Sequence, residues 1–267
     1  TQKFSSWIGL PAGGWYRLEA RAKRDGATLA EVAVNHFGVG EVFVGAGQSN
    51  STNSGQFKIK QTTGMVSSFS GTHWQLADDP QPGVADRSQG GSFWPAFGDQ
   101  MHLELGVPIG VATTGYGGTS VNQWQPDGDL FQRWLLQRIH QLGPQGFRAV
   151  LWHQGESDVA MPSAEYYGKL KNTILTSIQQ AGWEFPWFVA QASYHNAEKP
   201  RFESVRSAQK KLWEECVAEP GPDTDVLGGD HRDLDGKGIH FSPKGLKVHG
   251  EMWAEKLAAY VESELAN

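Results

Sequence analysis

Cysteine occurs once in the 267 residues, at Cys216, so an internal disulfide framework is excluded. No apolar run is long enough to cross a membrane, and no secretory leader pattern is present. The start at Thr1-Gln-Lys reads as a processed or trimmed chain. A basic stripe is also missing. Twenty-three Lys and Arg against 29 Asp and Glu leave a net charge of −6, which argues against a nucleic-acid partner. Carboxylates do crowd around Asp230-His231, Asp233, Asp235 and His240. The run Asp233-x-Asp235-Gly236 lacks the following glutamate that a calcium loop needs, so no metal or other cofactor is expected.

What the chain does have is a series of apolar strands that end in small and polar residues. Strands are expected at 41–46, 107–113, 149–153 and 187–192, alternating with amphipathic helices. This is the order of a parallel sheet covered on both faces, an α/β fold in one body over residues 41–267. Three helical stripes are expected in the core: Tyr167, Leu170, Ile174 and Ile178; Phe202, Val205, Gln209, Leu212 and Cys216; and Leu246, Trp253, Leu257 and Val261. Residues 1–40 differ. Trp15–Ala22 alternates apolar and polar residues, Lys23-Arg-Asp-Gly26 turns, and Thr28–Val34 returns, a β-hairpin expected to pack on the core. The stretch between Gln56 and Gln100 is polar, Gly-rich and aromatic, and is expected to form a long loop walling a cleft.

The strand Glu41-Val-Phe-Val-Gly-Ala-Gly47 delivers Ser49 between two amides, Gln48 and Asn50. A serine at a strand's carboxyl end is well placed as a nucleophile, because backbone N–H groups at the start of the next segment face developing negative charge. The G-x-S-x-G elbow is not met, since Ser51 stands two residues on. A second strand runs into Gly115-Tyr-Gly-Gly118, where a glycine can bring a bare backbone N–H to a ligand. A third runs into His153-Gln-Gly-Glu-Ser-Asp158. Loops at the carboxyl ends of parallel strands are where ligands sit in such sheets. Near the C-terminus His240 precedes a helix start, with Ser242 as N-cap and Pro243 in the first turn, and is the candidate base. Glu156 and Asp158 are too close together in one loop for a glycosidase pair and are expected to fix the loop's shape. Trp152 reads as core, whereas Trp124, six residues after Gly118, is a candidate to border the substrate pocket.

Taken in order, Gly47-Gln48-Ser49-Asn50, Gly117-Gly118-Thr119 with Trp124, His153-Gln154-Gly155-Glu156-Ser157-Asp158 and His240 resemble the blocks of the SGNH-hydrolase superfamily. Within it the chain is most similar to the carbohydrate acetylesterases that include sialate O-acetylesterases, over residues 41–250. The resemblance implies a flavodoxin-like three-layer α/β/α sandwich. It implies Ser49 as nucleophile, His240 as general base and then acid, and the Ser49 N–H, Gly118 N–H and Gln154 side-chain amide as oxyanion donors. Gln48, Asn50, Trp124 and His153 are expected to contact an acetylated carbohydrate. The resemblance also implies a secreted or periplasmic setting. One position departs from it: three residues before His240, where the superfamily usually has aspartate, stands Lys237. The orienting acid is then Asp235, Asp233 or Asp230, with Asp235 the first choice and a Ser-His dyad the alternative. Two other readings stand beside this one: a carbohydrate-binding or inactive esterase-like protein, and a lipid or thioester hydrolase of the same superfamily. The sequence leaves open the oligomeric state and the acetylated sugar, plant polysaccharide or sialic acid.

Overall fold

A computed structural model of the chain describes residues 5, 6 and 8–266. The expected 1–40 segment therefore loses Thr1–Phe4 and Trp7, which lie outside the described residues together with Asn267. The hairpin consists of β1 (Gly13–Arg24) and β2 (Ala27–Val39), joined by Asp25 and Gly26, both at positive φ, as a two-residue turn between right-twisted strands requires. These strands pair only with each other. Gly14 and Gly38 lie against Pro108, and Trp15 donates its indole N–H to Gly64 O at 3.1 Å. Leu18, Val32 and Val34 farther along are exposed, so the hairpin meets the core at its base rather than along its length.

The remainder is one seven-stranded sheet in the order β5-β4-β6-β3-β7-β8-β9. Its strands are β3 (Glu41–Gly47), β4 (Val66–Phe69), β5 (Trp74–Leu76), β6 (Ile109–Thr113), β7 (Ala149–His153), β8 (Trp187–Gln191) and β9 (Glu219–Asp223). Every neighbouring pair is parallel except β4 with β5. The expected long loop between Gln56 and Gln100 is thus partly sheet: β4 extends the edge beside β6, and β5 folds back on it. Four- and three-residue strands of mixed polarity carry too little alternation to be recognised in sequence.

Side chains of β3 alternate across the sheet. Val44 and Ala46 face a layer built from α2 (Gln137–Leu142), α3 (Ser163–Ala181) and α4 (Glu203–Glu214), and contribute to a core with Trp152, Leu170, Ile174, Val205 and Leu212. Phe43 faces the other layer, α1 (Trp94–Leu105) and the C-terminal helix (Pro243–Ala266), with Phe97, Met101, Trp253, Leu257 and Val261. The central strands are buried on both faces, which is why they read as continuous apolar runs. Of the expected core positions, Tyr167, Ile178 and Phe202 are half-buried, and Cys216 is outside the core altogether. It lies beyond the end of α4 with φ 53° and is exposed, because the helical period that placed it on the stripe has already stopped.

The connectivity locates the site. From β3 the chain builds β4 and β6 on one side, then crosses to build β7, β8 and β9 on the other. The crevice at such a switch point, beyond the carboxyl ends of the strands, is open between diverging loops. Ser49 follows β3 there.

Candidate active site

Gly47 closes β3 at φ 129°, and a Cβ on it would lie 2.0 Å from His153 O, so only glycine lets β3 turn against β7 at this point. Gln48 N–H then donates to His153 O at 3.0 Å. Ser49 opens a short 3₁₀ turn, with Thr52 N–H and Thr52 Oγ1–H donating to Ser49 O at 3.0 and 2.9 Å. The backbone is therefore fixed while the Ser49 hydroxyl makes no hydrogen bond among the described residues, leaving it available to a substrate.

The glycine loop after β6 approaches this serine closely: a Cβ on Gly117 would lie 3.5 Å from Ser49 Cβ. Gly117 N–H donates to Asp86 Oδ2 at 2.7 Å, and Gly118 follows in a left-handed conformation at φ 71°, its own N–H making no hydrogen bond among the described residues. Asp86, in the polar 56–100 stretch, thus holds the loop in place. No sequence signal distinguishes it from the other carboxylates of that stretch.

Gln154 is fully buried. Its Nε2 donates to Asp158 Oδ2 at 2.7 Å and Thr119 O at 3.1 Å, with Gln48 Oε1 at 3.2 Å, and its Oε1 accepts from the Tyr166 hydroxyl at 2.9 Å. Both amide hydrogens are committed within the protein, so Gln154 here joins the Ser49 turn, the glycine loop and α3. Gln48 Oε1 also accepts from Ser157 N–H at 3.0 Å. Asp158 accepts from Val121 N–H at 2.7 Å, tying the loop after β7 to the one after β6.

Trp124 is not in the cleft. It is fully buried, donates its indole N–H to Thr119 Oγ1 at 3.0 Å and stands edge-on to Trp152 with ring centroids 5.3 Å apart. The capped 3₁₀ turn Val121–Trp124 brings the ring underneath the glycine loop, so it supports that loop from the core. His153 is likewise buried. Its ring lies against Glu156 and His249 and does not reach the cleft. Asn50, 6% exposed, donates from Nδ2 to Glu156 Oε1 at 2.8 Å and to Ile239 O at 3.3 Å.

His240 lies on the loop leading to the C-terminal helix, whose start is capped as expected: Gly245 N–H donates to Ser242 Oγ at 3.2 Å, and Pro243 is the first helical residue. The carboxylate beside its ring is Asp233, with Oδ2 3.7 Å from His240 Nδ1. Asp233 N–H also donates to His240 O at 2.9 Å, which makes the two residues direct neighbours across a narrow loop. Asp235 does not approach the histidine. Leu234 and Asp235 are both left-handed, at φ 51° and 56°, and this reversal leaves Asp235 exposed. Asp230 pairs instead with Lys244 at 2.6 Å, and that ammonium holds its carboxyl below the usual range.

Arg232 braces the loop from behind. Its guanidinium donates to the carbonyls of Leu227, Ile239 and Thr224 and is sandwiched between the rings of Tyr194 and Phe241, 3.8 and 4.1 Å from their centroids. Burial without a carboxylate partner pulls its pKa to about 10. No three His, Cys, Asp or Glu side chains among the described residues are grouped to hold a metal ion, and no described helix is long and apolar enough to cross a membrane.

The Ser49 turn thus has the glycine loop against it on one side, and on the other it is tied to the His240–Asp233 loop by the bond from Asn50 Nδ2 to Ile239 O. In sequence the chain is 28% identical over 115 residues to a probable carbohydrate esterase of Arabidopsis thaliana, a match spanning 40% of this chain and 44% of that protein. In fold it is similar to an Arabidopsis thaliana protein of known structure, with a TM-score of 0.67 at 20% identity over 83% of this chain and 98% of that one. It is also similar to a carbohydrate acetylesterase from Xanthomonas citri, with a TM-score of 0.62 at 20% identity over 93% of this chain and 61% of that one. An acetylxylan esterase from Geobacillus stearothermophilus gives a TM-score of 0.52 at 15% identity over 83% and 95% of the two chains. Residues 39–259 match the family described as carbohydrate esterase, sialic acid-specific acetylesterase, and the chain belongs to that family of carboxylic ester hydrolases.

Proposed function

We propose that this protein is a serine esterase that removes O-acetyl groups from a carbohydrate through an acetyl-enzyme intermediate. Ser49 Oγ attacks the ester carbonyl carbon while His240 accepts its proton, and Asp233 stabilises the imidazolium that forms. The Ser49 and Gly118 N–H groups donate to the resulting oxyanion. Collapse of the tetrahedral intermediate breaks the bond to the sugar oxygen, which takes the proton from His240. Water then attacks the acetyl-Ser49 carbonyl, giving up its proton to His240, and acetate leaves as Ser49 recovers its own.

The observation that carries this reading is the link through Asn50. One side chain, next in sequence to Ser49, donates to the carbonyl of Ile239, next in sequence to His240, at 3.3 Å. Two segments 189 residues apart are thereby held in one register at the end of β3. A protein that only binds sugar has no need of that coupling. Family membership supports O-deacetylation of carbohydrate in general. Tyr116, exposed on the glycine loop beside Ser49, supports a sugar ring as the group that is bound.

Acetate release from a small aryl acetate and from acetylated glycans, measured on Ser49→Ala and His240→Ala, tests the assignment. Both variants should lose at least about three orders of magnitude in kcat. Near-normal turnover in either removes that residue from the mechanism.

A further inference from the structure

Gln48, the residue before the nucleophile, has no part in the steps above. Its side-chain oxygen is held by three donors: Ser157 N–H at 3.0 Å, Gly155 N–H at 3.4 Å and Gln154 Nε2 at 3.2 Å. Backbone N–H groups only donate, so the atom facing Ser157 and Gly155 is Oε1, and this fixes which way round the amide sits. Nε2 is thereby turned away from those donors, and neither of its hydrogens meets an acceptor among the described residues. Gln48 is 2% exposed. Its Nε2 is not one of the fully enclosed side-chain atoms that lack a partner, so the small area that the residue shows to solvent includes this nitrogen.

An amide nitrogen kept almost dry with two unused hydrogens is costly in the free protein. The fold takes from Gln48 only an acceptor for Ser157, Gly155 and Gln154, which a glutamate of the same reach would also provide. The nitrogen is explained by an acceptor that arrives with the substrate. Its place in the site says which one. Gln48 is bonded directly to Ser49, whose N–H is one oxyanion donor, and its oxygen touches Gln154 Nε2, which in turn touches the carbonyl of Thr119, next to Gly118. The Gln48 amide therefore bridges the segments that carry the two backbone donors. Gln154, the side chain expected to be the third donor, gives its own hydrogens to Asp158 and Thr119.

We propose that Gln48 is a catalytic residue: its Nε2 donates the third hydrogen bond to the oxyanion that forms when Ser49 attacks the acetyl carbonyl. Because Oε1 is anchored before substrate arrives, the donor needs no reorientation as negative charge develops, and the scarcity of water around it strengthens the bond. Gln48 transfers no proton; it stabilises charge in both the acylation and the deacylation step. This inference rests on the esterase reading, since the oxyanion exists only if Ser49 is the nucleophile.

The test compares Gln48→Glu with Gln48→Met in the full chain. Glutamate keeps the acceptor for Ser157 and Gly155 but replaces the donor with an oxygen, whereas methionine removes the donor without adding charge. Both variants are expected to lose about 10²–10³ in kcat on a small aryl acetate, with KM within about threefold. Wild-type turnover in Gln48→Glu overturns the proposal in favour of a purely accepting Gln48. Wild-type turnover in Gln48→Met overturns it too, because any loss in the glutamate variant would then be charge repulsion. Should either variant fail to fold, the unsubstituted protein decides: Ser49 is capped with a phosphonate ester, whose phosphoryl oxygen stands where the oxyanion forms, and the ¹⁵N–¹H signals of the Gln48 side-chain amide are compared before and after. A downfield shift of one of its two protons is expected. An adduct on Ser49 with those signals unmoved overturns this proposal and leaves the esterase reading standing, whereas failure of the phosphonate to label Ser49 overturns that reading and this proposal with it.

Discussion

Asp233→Asn should lower turnover on a small aryl acetate by about 10- to 100-fold, and Asp235→Asn should change it by less than about twofold. The magnitude follows from the 3.7 Å between Asp233 Oδ2 and His240 Nδ1. At an effective dielectric of about 20, two unit charges at that distance attract by at most about 4.5 kcal/mol. The His240 side chain is 31% exposed and that of Asp233 13%, so solvent screens the pair, and about 1.4–2.7 kcal/mol is a realistic share. Each 1.4 kcal/mol of lost stabilisation of the imidazolium in the transition state is about tenfold in rate. Asparagine preserves the backbone bonds that shape the loop, Asp233 N–H to His240 O and Gly238 N–H to Asp233 O, so the loss reports the charge and not a collapsed loop. Steady-state kcat by acetate release, with melting temperature as the control, is the assay. Wild-type turnover in Asp233→Asn refutes the reasoning, in favour of Asp235 if Asp235→Asn is impaired and of a Ser-His dyad if neither variant is.

Two further outcomes follow from the same geometry. Trp124→Phe loses a buried indole N–H bond to Thr119 and part of the contact with Trp152, and should cost about 1–2 kcal/mol in urea unfolding while leaving KM for acetylated sugars unchanged; a several-fold rise in KM would return Trp124 to the cleft. The Glu156 carboxyl sits at about 2 in the folded protein against an ordinary 4.5, so its contribution to stability is complete above about pH 4.5 and is lost as pH falls toward about 2. Melting temperature should therefore drop more steeply over that window in the wild type than in Glu156→Gln, and parallel curves contradict the burial of the Glu156 carboxylate against Asn50 and His153.

Much of the frame was legible because it rests on local pattern. The strands β3, β6, β7 and β8 are unbroken apolar runs ending in small or polar residues, and their observed bounds fall within about two residues of those expected. The Ser242-Pro243 cap announces the C-terminal helix by chemistry that needs no tertiary context. What escaped depends on conformations that composition does not encode. Two consecutive left-handed residues without glycine, Leu234 and Asp235, reverse the loop, exposing Asp235 and leaving Asp233 beside the histidine. Spacing from His240 alone does not reveal such a reversal. Trp124 is close to Gly118 in sequence, yet a 3₁₀ turn sends its ring under the loop. Gln154 stands in the block where an oxyanion donor is expected, but Tyr166, Asp158 and Thr119, from three separate segments, share its amide. Asp86 holds the glycine loop through a contact with a residue distant in sequence, Gly117, and carries no motif of its own.

The central claim is that Ser49 is the nucleophile of an esterase, and covalent trapping tests it most directly. The protein would be treated with an active-site phosphonate ester, digested and mapped by mass spectrometry. The account predicts one adduct, on Ser49, formed in parallel with loss of acetate release, slowed in His240→Ala and absent in Ser49→Ala. An adduct on another residue, or full inactivation with Ser49 unmodified, would contradict it.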